Sequence, residues 1–235
     1  MKRIRYSVIF VAFILLGVVL FAGVLLGRAK PAFSPMQLKP CVVLDPGHGG
    51  MDGGAVGNDG IVEKNINLSI ALKLREMLTL NGFEVYMTRE EDRSIYDEGV
   101  TGLRNQKVSD MNNRLALVKA HPEALFVSIH QNQFPASQYS GAQIFYSPNA
   151  PESETMASIT QRRFREMLQP ENLREIKRAG DELFLLYYTK TPAIMAECGF
   201  LSNDAEARRL SDDEYQNKVA FVLFSSILEY TETAQ

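Results

Sequence analysis

Cysteine and histidine are both scarce in this chain. Of 235 residues, two are cysteine and three are histidine. Two cysteines cannot build a thiolate-rich metal cluster, and neither Cys41 nor Cys198 stands in a setting that marks a nucleophile. Each abuts an apolar run that reads as a buried strand, so both are expected as free thiols that act as small hydrophobes. Clustered positive charge is also lacking beyond the N-terminus. The formal net charge is −3 and no basic run follows the first segment, which excludes nucleic acid as a partner. Internal repeats and low-complexity tracts are absent, which excludes a solenoid or other repeat architecture.

The one long apolar run is at the start. Lys2, Arg3 and Arg5 precede an uncharged stretch from Tyr6 to Gly27. It is long enough to cross a bilayer as a helix. It also exceeds the roughly 7–15 apolar residues of a signal-peptide core. Residues 1–29 are therefore expected to be a signal anchor, with Gly27-Arg28-Ala29 as the cleavage site if the segment is instead a signal peptide. In both cases the basic end stays in the cytoplasm and the rest of the chain is exported. Residues 30–39, with Pro31 and Pro35, read as a linker. Residues 40–235 fit one domain with a sizeable core.

Within that domain, Cys41-Val-Val-Leu44 reads as a buried strand stopped by Asp-Pro-Gly. A helix is predicted from Lys64 to Asn81-Gly82, on the period of Ile66, Ile70, Leu74 and Leu78. Phe83–Thr88 alternates like a strand, and Arg89–Lys107 reads as a long polar loop. A helix over Ser109–Ala120 and strands over Ala124–Ile129 and Ala142–Tyr146 follow. Glu152–Leu168 is predicted helical, and Gln169–Leu183 has no clear pattern. Pro192–Ala196 reads as a strand, and helices over Asp204–Leu210 and Asp213–Tyr230 close the chain. Strands alternating with helices predict an α/β domain with a largely parallel twisted sheet and helices on both faces, preceded by the N-terminal apolar helix.

Ligands in such sheets bind beyond the carboxyl ends of the strands. His48, His130 and Glu197 are all expected there. His48 sits among glycines after the first strand, and His130 lies between Ser128 and Asn132. With Glu63 they form a His-Glu-His set plus one carboxylate. His-Glu-His with an open position is a ligand combination of catalytic zinc. Taken alone, Glu63 reads equally as a helix-start carboxylate favoured by the dipole. Glu197 at the end of an apolar strand is costly unless paired or functional, and burial raises a carboxylate toward a general acid/base range. Asp45 either orients the His48 imidazole or anchors its own turn. His121, before Pro122, reads as a surface or capping residue. Lys177 and Arg178 are either solvated surface or substrate-contacting cations. The glycines from Gly47 to Gly57 do not make a dinucleotide loop, because Asp52 stands where the third glycine should be.

The segments Leu44-Asp-Pro-Gly-His-Gly-Gly50, Glu63, Met87-Thr-Arg89, Ser128-Ile-His130 with Asn132, Ser140-Gly-Ala142, and Pro192 through Glu197-Cys-Gly-Phe-Leu-Ser-Asn203 resemble the zinc-dependent N-acetylmuramoyl-L-alanine amidases of the type-3 family. They run in the family's order over nearly the whole chain beyond the linker. The resemblance implies Zn2+ held by His48, Glu63 and His130, with Glu197 as catalytic carboxylate and peptidoglycan as substrate. Small size, the apolar N-terminus, the loop Glu98-Gly-Val-Thr-Gly102 and the lack of wall-binding repeats are similar to the spore-cortex branch of the family. That branch strips stem peptide from muramic acid before muramic-δ-lactam is made. Gln131 and Cys198 stand where the family pattern has apolar residues. The reading places the protein outside the membrane, tied to it by the N-terminal helix, and allows an accessory activator. Two other classes fit the same residues: a non-catalytic peptidoglycan-binding or regulatory module on a membrane anchor, and a zinc peptidase acting within the stem peptide.

Overall fold

Val42, Val43 and Leu44 are fully buried because their strand has neighbours on both edges and helices on both faces. The computed structural model describes residues 41–233. The anchor over 1–29, the linker over 30–39 and the last two residues lie outside the described residues. Among the described residues no helix is long and apolar enough to cross a membrane.

The strands are β1 (Val42–Pro46), β2 (Val85–Met87), β3 (Leu125–Asn132), β4 (Gln143–Tyr146), β5 (Lys177–Arg178) and β6 (Ala193–Phe200). The helices are α1 (Glu63–Leu80), α2 (Leu103–Ala120), α3 (Glu152–Met167), α4 (Phe184–Tyr188), α5 (Asp204–Ser211) and α6 (Asp213–Thr233). The sheet order is β2-β1-β3-β6-β4-β5. The first four of these run parallel to one another; β4 is antiparallel to β6, and β5 is parallel to β4. The expected single α/β domain with a mainly parallel sheet is what the chain forms.

Side chains alternate across the sheet, as the two-residue period of a strand requires. Leu44, Val127, Ile129 and Ala196 face the larger core, with Ile70 and Leu74 of α1, Met156 of α3 and Val219 of α6. Val43, Phe126, Ala193 and Met195 face the smaller one, with Leu115 and Val118 of α2 and Leu185 and Leu186 of α4. From β1 the chain passes through α1 on the first face to β2. It returns through α2 on the second face to β3, on the other side of β1. The connections diverge at β1 and β3, which opens a crevice at their carboxyl ends.

Three boundaries differ from expectation. Helix α2 begins at Leu103, inside the predicted loop; Leu103 and Val108 are exposed, so its first turns carry no apolar stripe that would mark them as helix. Strands β3 and β6 extend through Asn132 and Phe200, so His130 and Glu197 lie within their last turns of pleat rather than past them. The patternless stretch contains the two-residue β5 and ends at α4. Gly82 takes φ 81° just after Asn81 closes α1, the left-handed position glycine fills at a helix C-terminus. Cys41 and Cys198 are free thiols, and Cys198 is fully buried. His121 closes α2 and stacks on Tyr86 at 3.7 Å, as a capping residue does.

Candidate metal centre and active site

Two buried arginines fasten the turn after β1. Arg89 donates from Nε to the Pro46 carbonyl at 2.9 Å and from Nη2 to the carbonyls of Gly47 and Lys64. Arg114 donates from Nη1 to Asp45 at 2.7 Å and from Nη2 to the His48 carbonyl at 2.7 Å. Asp45 also accepts from Thr88 and Ser128. Burial pushes the Asp45 carboxyl up, but the Arg114 guanidinium and these donors overcome it and hold its pKa below the usual carboxylate range. Removing one partner of a buried pair leaves a charge whose exposure to apolar surroundings costs about 3–5 kcal/mol, so Asp45 and Arg114 stand or fall together. Asp45 therefore neither orients the His48 ring nor anchors its own turn. It links β1 to α2, β3 and the end of β2.

With its carbonyl held by Arg114, His48 sits at φ 63°, the left-handed region. A non-glycine residue there carries strain of about 1–3 kcal/mol, tolerated where the surroundings over-determine the conformation. The result turns the ring inward. His48 Nε2 lies 3.3 Å from Glu63 Oε2, and Nδ1 lies 3.0 Å from Asp52 Oδ2. His130 Nδ1 lies 3.0 Å from Glu63 Oε1. The two imidazoles meet edge to face at 4.9 Å.

Glu63 is the first residue of α1, where the helix dipole favours a carboxylate. Its Oε2 accepts from the Ala55 N–H, and its Oε1 accepts from Asn67 Nδ2 and the Gln131 N–H. Burial alone would raise its pKa; the His130 and His48 rings outweigh that and keep it ionised far below the ordinary range. For His48, burial works against the charged form, but its bonds to Asp52 and Glu63 prevail and raise its pKa to about 9. A cation entering the site displaces that proton, so its affinity rises with pH.

One donor atom each from His48, Glu63 and His130 lies within 4.8 Å of the other two. Two imidazole nitrogens and a carboxylate oxygen, with a second carboxylate on the far nitrogen of His48, form a donor set that suits a divalent metal ion. Glu197 pairs with His130 across β3 and β6 and lines the same cavity of about 310 Å³, with Met195, Glu182 and Phe184 on its walls. Its Oε2 is buried without a hydrogen-bond partner. Burial raises the Glu197 pKa to about 7, against the pull of His130. A larger hollow of about 400 Å³ around Pro170 and Arg209 holds none of these groups.

The sequence model of the N-acetylmuramoyl-L-alanine amidases matches residues 42–229, from β1 into α6. The chain belongs to that amidase family. It is 38% identical over 201 residues to the germination-specific N-acetylmuramoyl-L-alanine amidase of Bacillus subtilis strain 168, covering 86% of this chain and 83% of the relative. The CwlD amidase of Clostridioides difficile, solved in complex with the GerS lipoprotein, superposes with a TM-score of 0.80 at 37% identity. That match covers 83% of this chain and 99% of the other. An N-acetylmuramoyl-L-alanine amidase from Clostridium difficile 630 superposes with a TM-score of 0.73 at 26% identity, over 85% of this chain and all of the other.

In this amidase the structure brings the four sequence-selected residues, His48, Glu63, His130 and Glu197, to one place. Lys177 and Arg178 lie instead on the edge strand β5. Sequence reading assigns no supporting role to Asp52, Asn67, Arg89 and Arg114, which hold the ring, the carboxylate and the turn. Two glycines of the amidase turn are there for close approach. A Cβ on Gly47 would fall 2.1 Å from the His130 ring. Gly54, at φ 70°, would place one 2.5 Å from Glu63 Oε2 and 2.6 Å from the His48 ring. Gly54→Ala is expected to weaken metal binding by about 10–100-fold in a chelator competition, the range that follows when ligand support is lost. Gly60→Ala is the control: Gly60 has φ 74° with nothing within 4 Å of a new Cβ, so it carries backbone strain alone. Equal affinities for the two variants would show that the crowding is harmless.

Proposed function

We propose that this chain hydrolyses the amide bond between the lactyl group of N-acetylmuramic acid and L-alanine in peptidoglycan. His48, Glu63 and His130 hold Zn2+, and Glu197 is the general acid/base. The observation that carries the reading is the convergence of three metal-type donors beside a buried, unpartnered carboxylate, within an amidase-family chain.

When bound, zinc supplies Lewis acidity that makes water nucleophilic near neutral pH and polarises a carbonyl. The protein's groups do the rest. Asp52 fixes the ring of His48, and Asn67 with the Gln131 N–H fixes Glu63. Glu197 takes a proton from the attacking water at its free Oε2 and returns it to the departing amine of L-alanine. No covalent enzyme intermediate is required.

Likeness to a germination-specific relative supports a role in spore cortex, where removal of the stem peptide precedes muramic-δ-lactam formation. The domain over 40–235 acts outside the membrane, joined through the 30–39 linker to an N-terminal anchor or cleaved signal over 1–29. A structural neighbour solved with a lipoprotein supports an accessory protein as a further partner.

Mass analysis of purified peptidoglycan after digestion by the full-length protein is the test. The expected products are muramic acid with a free lactyl carboxyl and intact stem peptides beginning with L-alanine. A cut between two amino acids would make the chain a peptidase. Unchanged wall that still retains the protein would make it a binding module.

A further inference from the structure

The cavity around Glu197 has a neighbour one strand away. In β4, Gln143 is paired directly with Glu197 and Phe145 with Met195, so these side chains share a sheet face. Directly opposed residues on antiparallel strands have Cβ atoms about 4.5–5.5 Å apart. Gln143 and Phe145 line a second cavity of about 170 Å³, together with Phe134, Tyr139, Arg174 and Lys177.

The walls of this second cavity combine two features. The first is an exposed aromatic row. Phe134 and Tyr139 are 50% and 42% exposed and meet edge to face at 5.1 Å. The second is positive charge without a counter-charge. Arg174 lies over the Phe200 ring at 4.5 Å, and its hydrogen bonds go to the Ser140 carbonyl and the Gln143 side-chain oxygen, both neutral. Lys177, paired with Phe145 across β4 and β5, lies 5.9 Å over that ring. Among the described residues neither cation has an ion-pair partner, whereas Arg162, Arg165, Lys73 and Lys107 all do. Glu206, the buried carboxylate that acts on Arg174 from further off, is already engaged by the N–H groups of Gly141 and Phe200.

We infer that this second cavity binds the acidic stem peptide of the substrate, with Arg174 and Lys177 on a peptide carboxylate and Phe134 and Tyr139 against its apolar stem. This deepens the amidase reading and rests on it. Charge complementarity selects the occupant. A glycan strand whose amines are acetylated and whose lactyl groups are amide-linked offers no anion, while the stem peptide beyond L-alanine does. Placing the peptide here puts the scissile amide at Glu197, with the glycan on the side of His48 and Phe184.

The test is binding to full-length protein carrying Glu197→Gln, so that nothing is turned over. The probes are N-acetylmuramoyl-L-alanyl-D-glutamic acid and the same compound with both carboxyls converted to carboxamides. The acid is expected to bind about 10-fold more tightly, and the gap to shrink with added salt, as for a partly exposed charge contact. Adding Lys177→Gln is expected to cut the preference to about 3-fold or less without changing the diamide Kd, since a removed rim charge affects only the charged partner. Arg174→Gln is expected to do the same. Because Arg174 also packs on Phe200, the exposed Lys177 is the decisive variant. Equal affinity for the two probes, or a full preference retained in the Lys177 variant, would overturn the inference. Failure of the wild-type protein to release stem peptide from wall would overturn the cleavage reading instead, and leaves these affinities to be read separately.

Discussion

Full-length Glu197→Gln protein is expected to bind zinc as the wild type does and to lose about 10²–10⁴-fold in kcat, the usual contribution of a positioned proton-transfer group. Three features lead there. Glu197 is held in β6 opposite His130, so the backbone ladder fixes its place relative to that imidazole. Its Oε2 is buried and accepts no hydrogen bond from the protein, so a water proton or a leaving amine would be its partner. Its pKa is raised to about 7 by burial, which makes it a stronger base than an exposed glutamate yet deprotonated in a useful fraction at neutral pH. Glutamine keeps the shape and loses the proton. The sign of the pH effect follows: a base must be deprotonated, so the rate falls as pH drops through its pKa. Bound zinc pulls that value down, which places the acid limb at or below about pH 7. Zinc per chain and stem-peptide release against pH are the measurements. Near-normal turnover in the variant would remove Glu197 from the chemistry.

His130→Ala is expected to leave purified protein with little zinc and no detectable cleavage. It offers one of the three grouped ligand atoms, and the two that remain fall short of the three protein ligands a catalytic zinc site takes. The loss should therefore exceed the roughly 10–100-fold that follows removal of an outer hydrogen-bond partner. The ring also fills the space over Gly47, so alanine leaves the turn unsupported on that side. The cores on both sheet faces do not include His130, so the variant is expected to keep its secondary structure by circular dichroism. A variant that held one zinc per chain at wild-type affinity would end the ligand assignment.

The four chemical residues could be read from the sequence because three of them follow short apolar runs, and strand ends point functional groups at one edge of a sheet. Glu63 had no such signal and was reached only as the third donor a metal would need. What escaped was the support. Asp52 lies in a glycine-rich turn with no periodicity, and its role depends on His48 adopting a left-handed backbone. Arg89 stands out only within the family-like segment Met87-Thr-Arg89 and Arg114 not at all, since a buried guanidinium leaves no trace in a hydropathy pattern. Asp45 was correctly marked as special and wrongly partnered, because its partners come from residues 43, 69 and 83 positions away. The start of α2 was hidden by its solvated first turns. The two-residue β5 is too short to alternate visibly, which concealed the setting of Lys177.

Strand β4 runs against its neighbour β6, so it meets Glu197 with its first residue rather than its last. One rim of the groove is therefore made by chain leaving the sheet after β1. The opposite rim is made by chain arriving from residues 133–142, which supply Phe134 and Tyr139. Insertions, deletions or exchanges in that incoming segment can remodel one bank while His48 and Glu63 on the other keep their places.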